Sequence, residues 1–186
     1  MELGGVDAAY VTDNGTSNST SVNEDTIKQH SLDVCVDGGS DLDVAVAIMR
    51  KKPPGCGYTG TTTVTVTDSD VPYPSLPAAA VSFTRAQKIP IYFSVSIKAV
   101  ATPPADAQSQ IVSAIVSMFN KDKTGNAVSG TVYSSNYFAP VLSIGSWVHL
   151  LGVTVGISAN PSGVNISSNI DQVFTLSPSD VSVSVS

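Results

Sequence analysis

Ser31-Leu32-Asp33-Val34-Cys35-Val36-Asp37-Gly38-Gly39-Ser40-Asp41-Leu42-Asp43 decides the fold class. Leu32, Val34 and Val36 alternate with Asp33, Cys35 and Asp37, which predicts a half-buried strand. Gly38-Gly39 breaks it. Ser40 then predicts a helix over about 40–52: it is a good N-cap, and Asp43 three residues on completes a capping-box-like pair. Asp41 and Asp43 suit the positive end of the helix dipole, and Arg50, Lys51 and Lys52 the negative end. Leu42, Ala45, Val46 and Met49 are expected to share its apolar face. Pro53-Pro54-Gly55 stops it.

Working outward, Val6–Thr12 predicts a short strand, Asp13-Asn14-Gly15 a turn, and residues 16–24 a polar, mobile surface loop. Thr61–Asp68 alternates Thr with Val64 and Val66 and predicts a strand. Residues 68–78 hold three prolines and read as a loop. Val81 and Phe83 mark a strand over Ala80–Thr84. A second block starts at Arg85. Ile89–Ala99 predicts one long strand, with Ile91, Phe93, Val95 and Ile97 on one face. Thr102 is expected to cap a helix over about 103–120, with prolines in its first turn and an apolar stripe of Ile111, Ile115, Met118 and Phe119. Asn136–Ile144 predicts a short helix broken by Pro140. Trp147–Ile157 reads as a strand covered on both faces. Val164–Ile170 and Val181–Val185 complete the strands. The expectation is an α+β fold with two small subdomains. Residues 1–84 hold one helix. Residues 85–186 form a mainly antiparallel sheet with helices on one face.

Composition narrows function. The chain has 186 residues, 13% of them charged, 42% hydrophobic, with a formal charge of −6. The acidic balance argues against a nucleic-acid partner. No run approaches the roughly 20 apolar residues of a membrane span. Met1-Glu2-Leu3-Gly4-Gly5 has no signal-peptide features, so Asn14, Asn18 and Asn165 read as chance matches to the glycosylation pattern. Cys35 and Cys56 read as free thiols, a bridge between them being the minority alternative.

Several motifs invite chemistry and are discounted. Gly55-Cys56-Gly57-Tyr58-Thr59-Gly60 spells G-x-G-x-x-G, but a helix precedes it and a strand follows, the reverse of a dinucleotide site. Asp37, Asp41 and Asp43 lack calcium-loop spacing, and capping accounts for two of them. His30 and His149 are too few for zinc, and no nucleophile elbow accompanies the serines. No catalytic, cofactor or metal residue is expected, and no enzyme. Trp147 and the tyrosines could instead serve a glycan-binding surface module of a phage or bacterium, the alternative reading.

An ordered set of motifs carries a resemblance. It runs His30–Gly39, Val44-Ala45-Val46-Ala47-Ile48, Lys52–Gly60, Phe83-Thr84-Arg85, Ile89–Val95 and Ile111–Ile115. The set resembles the baseplate J-like family of contractile-tail bacteriophages over roughly residues 25–120. One departure is Ala86, where the family commonly has proline. Members are longer, so the resemblance implies a C-terminal part of such a protein. It also implies a structural wedge component of the virion tail baseplate, assembled in the host cytoplasm. Its partners would be other wedge and hub proteins, with self-association through the alternating Val181–Val185 a further expectation. No catalytic residue is carried over.

Overall fold

The computed structural model describes residues 4–22, 25–67, 77–99 and 102–186. It divides into two compact units, Met1–Gln87 with Asn169–Asp171, and Lys88–Ser168 with Gln172–Ser186. The fold is α+β, as expected, with sheets of mixed direction and helices packed on them. The second block is not continuous, because it lends Asn169–Asp171 to the first unit.

In the first unit the chain forms β1 (Val6–Asn14), β2 (Thr20–Val22), β3 (Asp25–Ile27), β4 (Ser31–Gly38), α1 (Asp41–Lys51), β5 (Gly57–Thr59), β6 (Thr62–Thr67) and β7 (Ala78–Arg85). The sheet order is β1-β4-β7-β6, and β5 pairs with the start of β4. β4 runs antiparallel to β1 and parallel to β7. The expected mobile loop over 16–24 instead contributes β2, which pairs antiparallel with β3. Residues 68–76 of the predicted proline loop lie outside the described residues.

Two expectations are corrected here. β4 is not half-buried: Val34 and Val36 are buried on one face, and so are Asp33 and Cys35 on the other. Asn169–Asp171 belongs to this unit with Ile170 buried, and Asp171 acts electrostatically on both Asp33 and Cys35. Cover arriving from so far along the chain leaves no trace in local alternation. Helix α1 begins where capping predicts, with Asp43 N–H donating to Ser40 Oγ at 3.2 Å. Its buried face is Val44, Ala45 and Ile48, however, and Leu42 is 56% exposed. The helix is rotated so that Val44 and Ile48 meet Val66, Val81 and Phe83 in the core.

The second unit takes in most of β8 (Gln87–Pro90), then β9 (Tyr92–Ala99), α2 (Ala107–Lys121), β10 (Thr131–Tyr133), α3 (Phe138–Leu142), β11 (Val148–Gly156), β12 (Asn165–Ser167), β13 (Gln172–Thr175) and β14 (Val181–Val185). The predicted single strand over 89–99 breaks at Ile91, because β8 pairs with β13 while β9 pairs with β11 and β14. Helix α2 starts at Ala107 after Asp106, not near Thr102, and Asp106 makes no side-chain cap. Of the last strands, β12 is shorter than predicted, and β13, which buries Val173 and Phe174, was not anticipated.

The strand pairing is mainly antiparallel, as expected: β11 runs antiparallel to β9 and β10 to β12, while β14 joins β9 in parallel. β11 is covered on both faces only towards its end, where buried Pro161 sits against Gly156 and its carbonyl accepts from the Thr154 hydroxyl at 2.8 Å. A register shift between Leu150 and Gly152 reverses the alternation and turns Leu151 out, 63% exposed. Ile91, Phe93, Val95 and Ile97 are fully buried against Ile111, Ile115 and Phe119 of α2. The Phe93 and Tyr137 rings lie 4.6 Å apart by centroid.

Candidate functional site

The motif residues of the first unit meet at the β4–α1 turn. Gly38 and Gly39 have φ of +77° and +72°, which side chains other than glycine rarely adopt. A Cβ on Gly39 would stand 2.6 Å from Val6 Cγ2. Arg85, at the end of β7, reaches back to this turn. Its guanidinium donates to Gly38 O, to Gly39 O at 3.0 Å, and through Nε to Asp41 Oδ1 at 3.0 Å. It also lies 5.0 Å above the Phe83 ring. Phe83-Thr84-Arg85 therefore clamps the strand-to-helix turn.

The glycine-rich stretch is structural as well. α1 precedes it and β5 begins inside it. Gly60 has φ +148°, and a Cβ there would meet the Phe83 backbone at 2.4 Å.

The clamp holds the first residue of α1, and core packing of Val44, Ala45 and Ile48 seats the rest of the helix. α1 packs mainly on β6 and β7. The β1–β4 half of the same face remains an open apolar groove of about 340 Å³. Val11, 56% exposed, stands directly opposite Val34 in the ladder, and Ala9 opposite Val36. Leu32 and Ala47 extend the lining, and Lys51, Lys52 and Pro53 rim one end. Lys52 is engaged, donating to Cys56 O with its ammonium 4.8 Å over the Tyr58 ring. Lys51 is the exposed rim cation. An apolar floor with a cationic rim is chemically complementary to an apolar, acidic segment.

The second unit offers an edge. β14 ends the sheet order β11-β9-β14. Ser186 N–H donates to Ile97 O at 3.0 Å, and the Ser182 hydroxyl donates to Phe93 O at 3.2 Å.

The other singled-out residues scatter. Asp41 serves Arg85, and Asp43 accepts from the Ser40 hydroxyl at 2.6 Å. Among the described residues no three His, Cys, Asp or Glu side chains are placed to hold a metal ion. His30 and His149 are exposed and belong to different units. Asp13, His30 and Cys56 border one shallow pocket of about 210 Å³, with no hydrogen bond among the three side chains. Cys35 and Cys56 are free. Burial, with Asp171 next, pushes the Cys35 thiol up to about 12 and so keeps it protonated. Trp147 is half-buried against the second core and Tyr137 fully buried. Among the described residues no helix is long and apolar enough to cross a membrane.

Two buried polar residues were not anticipated as organisers. Asn14 donates to Asn18 O at 2.8 Å and Ile27 O at 3.1 Å, and accepts from Thr16 N–H and hydroxyl at 3.0 and 2.7 Å. It shapes the loop instead of presenting a modification site. Asp122 accepts from Thr124 and Gly125 N–H at 3.2 and 3.0 Å, and from the Tyr137 hydroxyl at 3.4 Å. Asp-Lys-Thr-Gly is itself an Asx-turn signature that could have flagged it.

No protein-family model matches the chain, and no curated protein matches it significantly.

Proposed function

We propose that the chain is a structural component of a contractile-tail bacteriophage baseplate wedge, working by protein–protein assembly and not by catalysis. The observation that carries this reading is the open apolar half-face of the first unit, where Val11 and Ala9 stand uncovered beside buried Val34 and Val36. Contiguous exposed apolar surface of this kind marks contact sites. A second support is that Gly38-Gly39 and Phe83-Thr84-Arg85, two parts of the family resemblance, form one clamp. That clamp ties the start of α1 beside the open half-face. In this reading the face receives an apolar, acidic segment of a neighbouring wedge or hub protein in the virion tail, after synthesis in the host cytoplasm.

Tail particles purified from the source culture test it. Mass spectrometry is expected to find this chain together with sheath and tube proteins. Particles that contain sheath and tube but lack the chain would overturn the reading.

A further inference from the structure

We infer that the β14 edge is a self-association site whose partner is the same edge of a second copy of this chain. It is a different surface from the docking face of the first unit and stands whether or not the baseplate reading does.

Three observations converge. First, among the described residues the edge is open and unguarded. β14 pairs with β9 on one side, and Val181–Val185 contains no charge, proline or bulge, the usual protections of an exposed edge. Second, its groups are aimed outward in a fixed pattern. In the parallel ladder Ser186 N–H donates to Ile97 O. By strand periodicity Ser182 and Ser184 also point their backbone groups at β9. The backbone N–H and C=O of Val183 and Val185 therefore face the open side.

Third, the sequence Val-Ser-Val-Ser-Val is a palindrome centred on Val183. An antiparallel two-fold pairing about Val183 places valine against valine and serine against serine at every position. Val183 meets Val183 of the second copy as a hydrogen-bonded pair, and Val181 meets Val185. The valines keep their place on the face shared with Phe93, Val95 and Ile97, and the exposed serines meet across the other face.

The flanking helix supplies apolar area beside the edge. α2 packs over β14, while α3 occupies one of its flanks. On the other flank a groove of about 400 Å³ is lined by apolar Val112, Val116 and Pro178, the last just before β14, with Ser113, Ser117, Asn120 and Lys121 among them. Edge pairing would bring this groove against its copy, adding apolar burial to a five-residue ladder.

Sedimentation over a concentration series tests the inference. The wild type is expected to rise from monomer to dimer mass and no further, because a two-fold contact closes. Ser182→Lys combined with Ser184→Lys sets like charges across both serine pairs and is expected to abolish the dimer. Ser182→Glu with Ser184→Glu is expected to do the same. An equimolar mixture of the two variants should recover dimer mass, since each lysine then faces a glutamate. Both serine positions are exposed, so circular dichroism should remain that of the wild type. In the unmodified chain, exchange of the Val183 amide should slow as concentration rises. A wild type that stays monomeric, a mass growing beyond dimer, or a double-lysine variant that dimerises like the wild type would overturn the inference. So would a mixture that stays monomeric while the Val183 amide shows no concentration-dependent protection.

Discussion

Among the described residues, one helix of the first unit, α1, covers half of the β1-β4-β7-β6 face; in the second, α2 and α3 lie over β14 and β11, and β14 ends the sheet with a bare edge. The difference is one of kind. An open face offers apolar contact, which is non-directional and tolerant of small shifts. An open edge offers a row of hydrogen-bonding groups, which fixes register. In the two proposals made above, the face takes an unlike partner and the edge takes a second copy.

The largest contrast should come from the closed and open parts of these sheets. Phe93→Ala empties the centre of the second core, where the side chain is fully buried, and is expected to cost about 3–5 kcal/mol in urea unfolding. Val11→Ala on the open face should change stability by less than about 0.5 kcal/mol, because most of that side chain already meets water. A large cost at Val11 would mean the face is closed.

Next in size is Gly60→Ala, which combines a positive φ with a clash against the Phe83 backbone. It should destabilise the first unit by about 2–3 kcal/mol, with spectroscopic probes of the second unit less affected. Arg85→Ala is expected to cost about 1–2 kcal/mol, since it strips charged hydrogen bonds from two turn carbonyls but at a partly exposed site. Loss of partner binding out of proportion to that cost would show that the clamp holds the docking face in shape.

The smallest effect distinguishes two thiols. Native protein should give one fast-reacting thiol, Cys56, and a second, Cys35, that reacts only on unfolding. Folded Cys35 holds its proton to about 12, whereas the unfolded chain releases it near 9.0. Above that lower value the unfolded state binds fewer protons, so stability falls as pH rises towards about 12. Cys35→Ala should flatten this alkaline limb in urea midpoints measured between about pH 8 and pH 10.

Features set by neighbours in sequence were legible. Ser40 and Asp43 announce the start of α1, and the alternation of β6 and β9 shows which residues go inward. Features set by distant residues were not. Nothing near β4 signals that its second face is covered, and nothing in Leu150-Leu151-Gly152 declares a bulge rather than continued alternation. The parallel direction of β14 depends on the route of the chain, not on its own residues. The same division holds for the candidate surfaces. The glycine pair and Arg85 stand out in sequence, but that Arg85 closes the turn 47 residues earlier does not. The palindrome of Val181–Val185 is plain to read, yet only the sheet order makes it an edge. An open face is the hardest to foresee, because it reflects where α1 stops rather than any residue present.

The central claim, that the open half-face of the first unit receives another tail protein, is tested most directly by amine-reactive cross-linking of intact particles. Lys51 stands exposed at the rim of the groove. The account predicts cross-links from Lys51 to a different protein of the tail, lost on substituting Val11 and Leu32 together by serine. Cross-links from Lys51 that run only within this chain would contradict it.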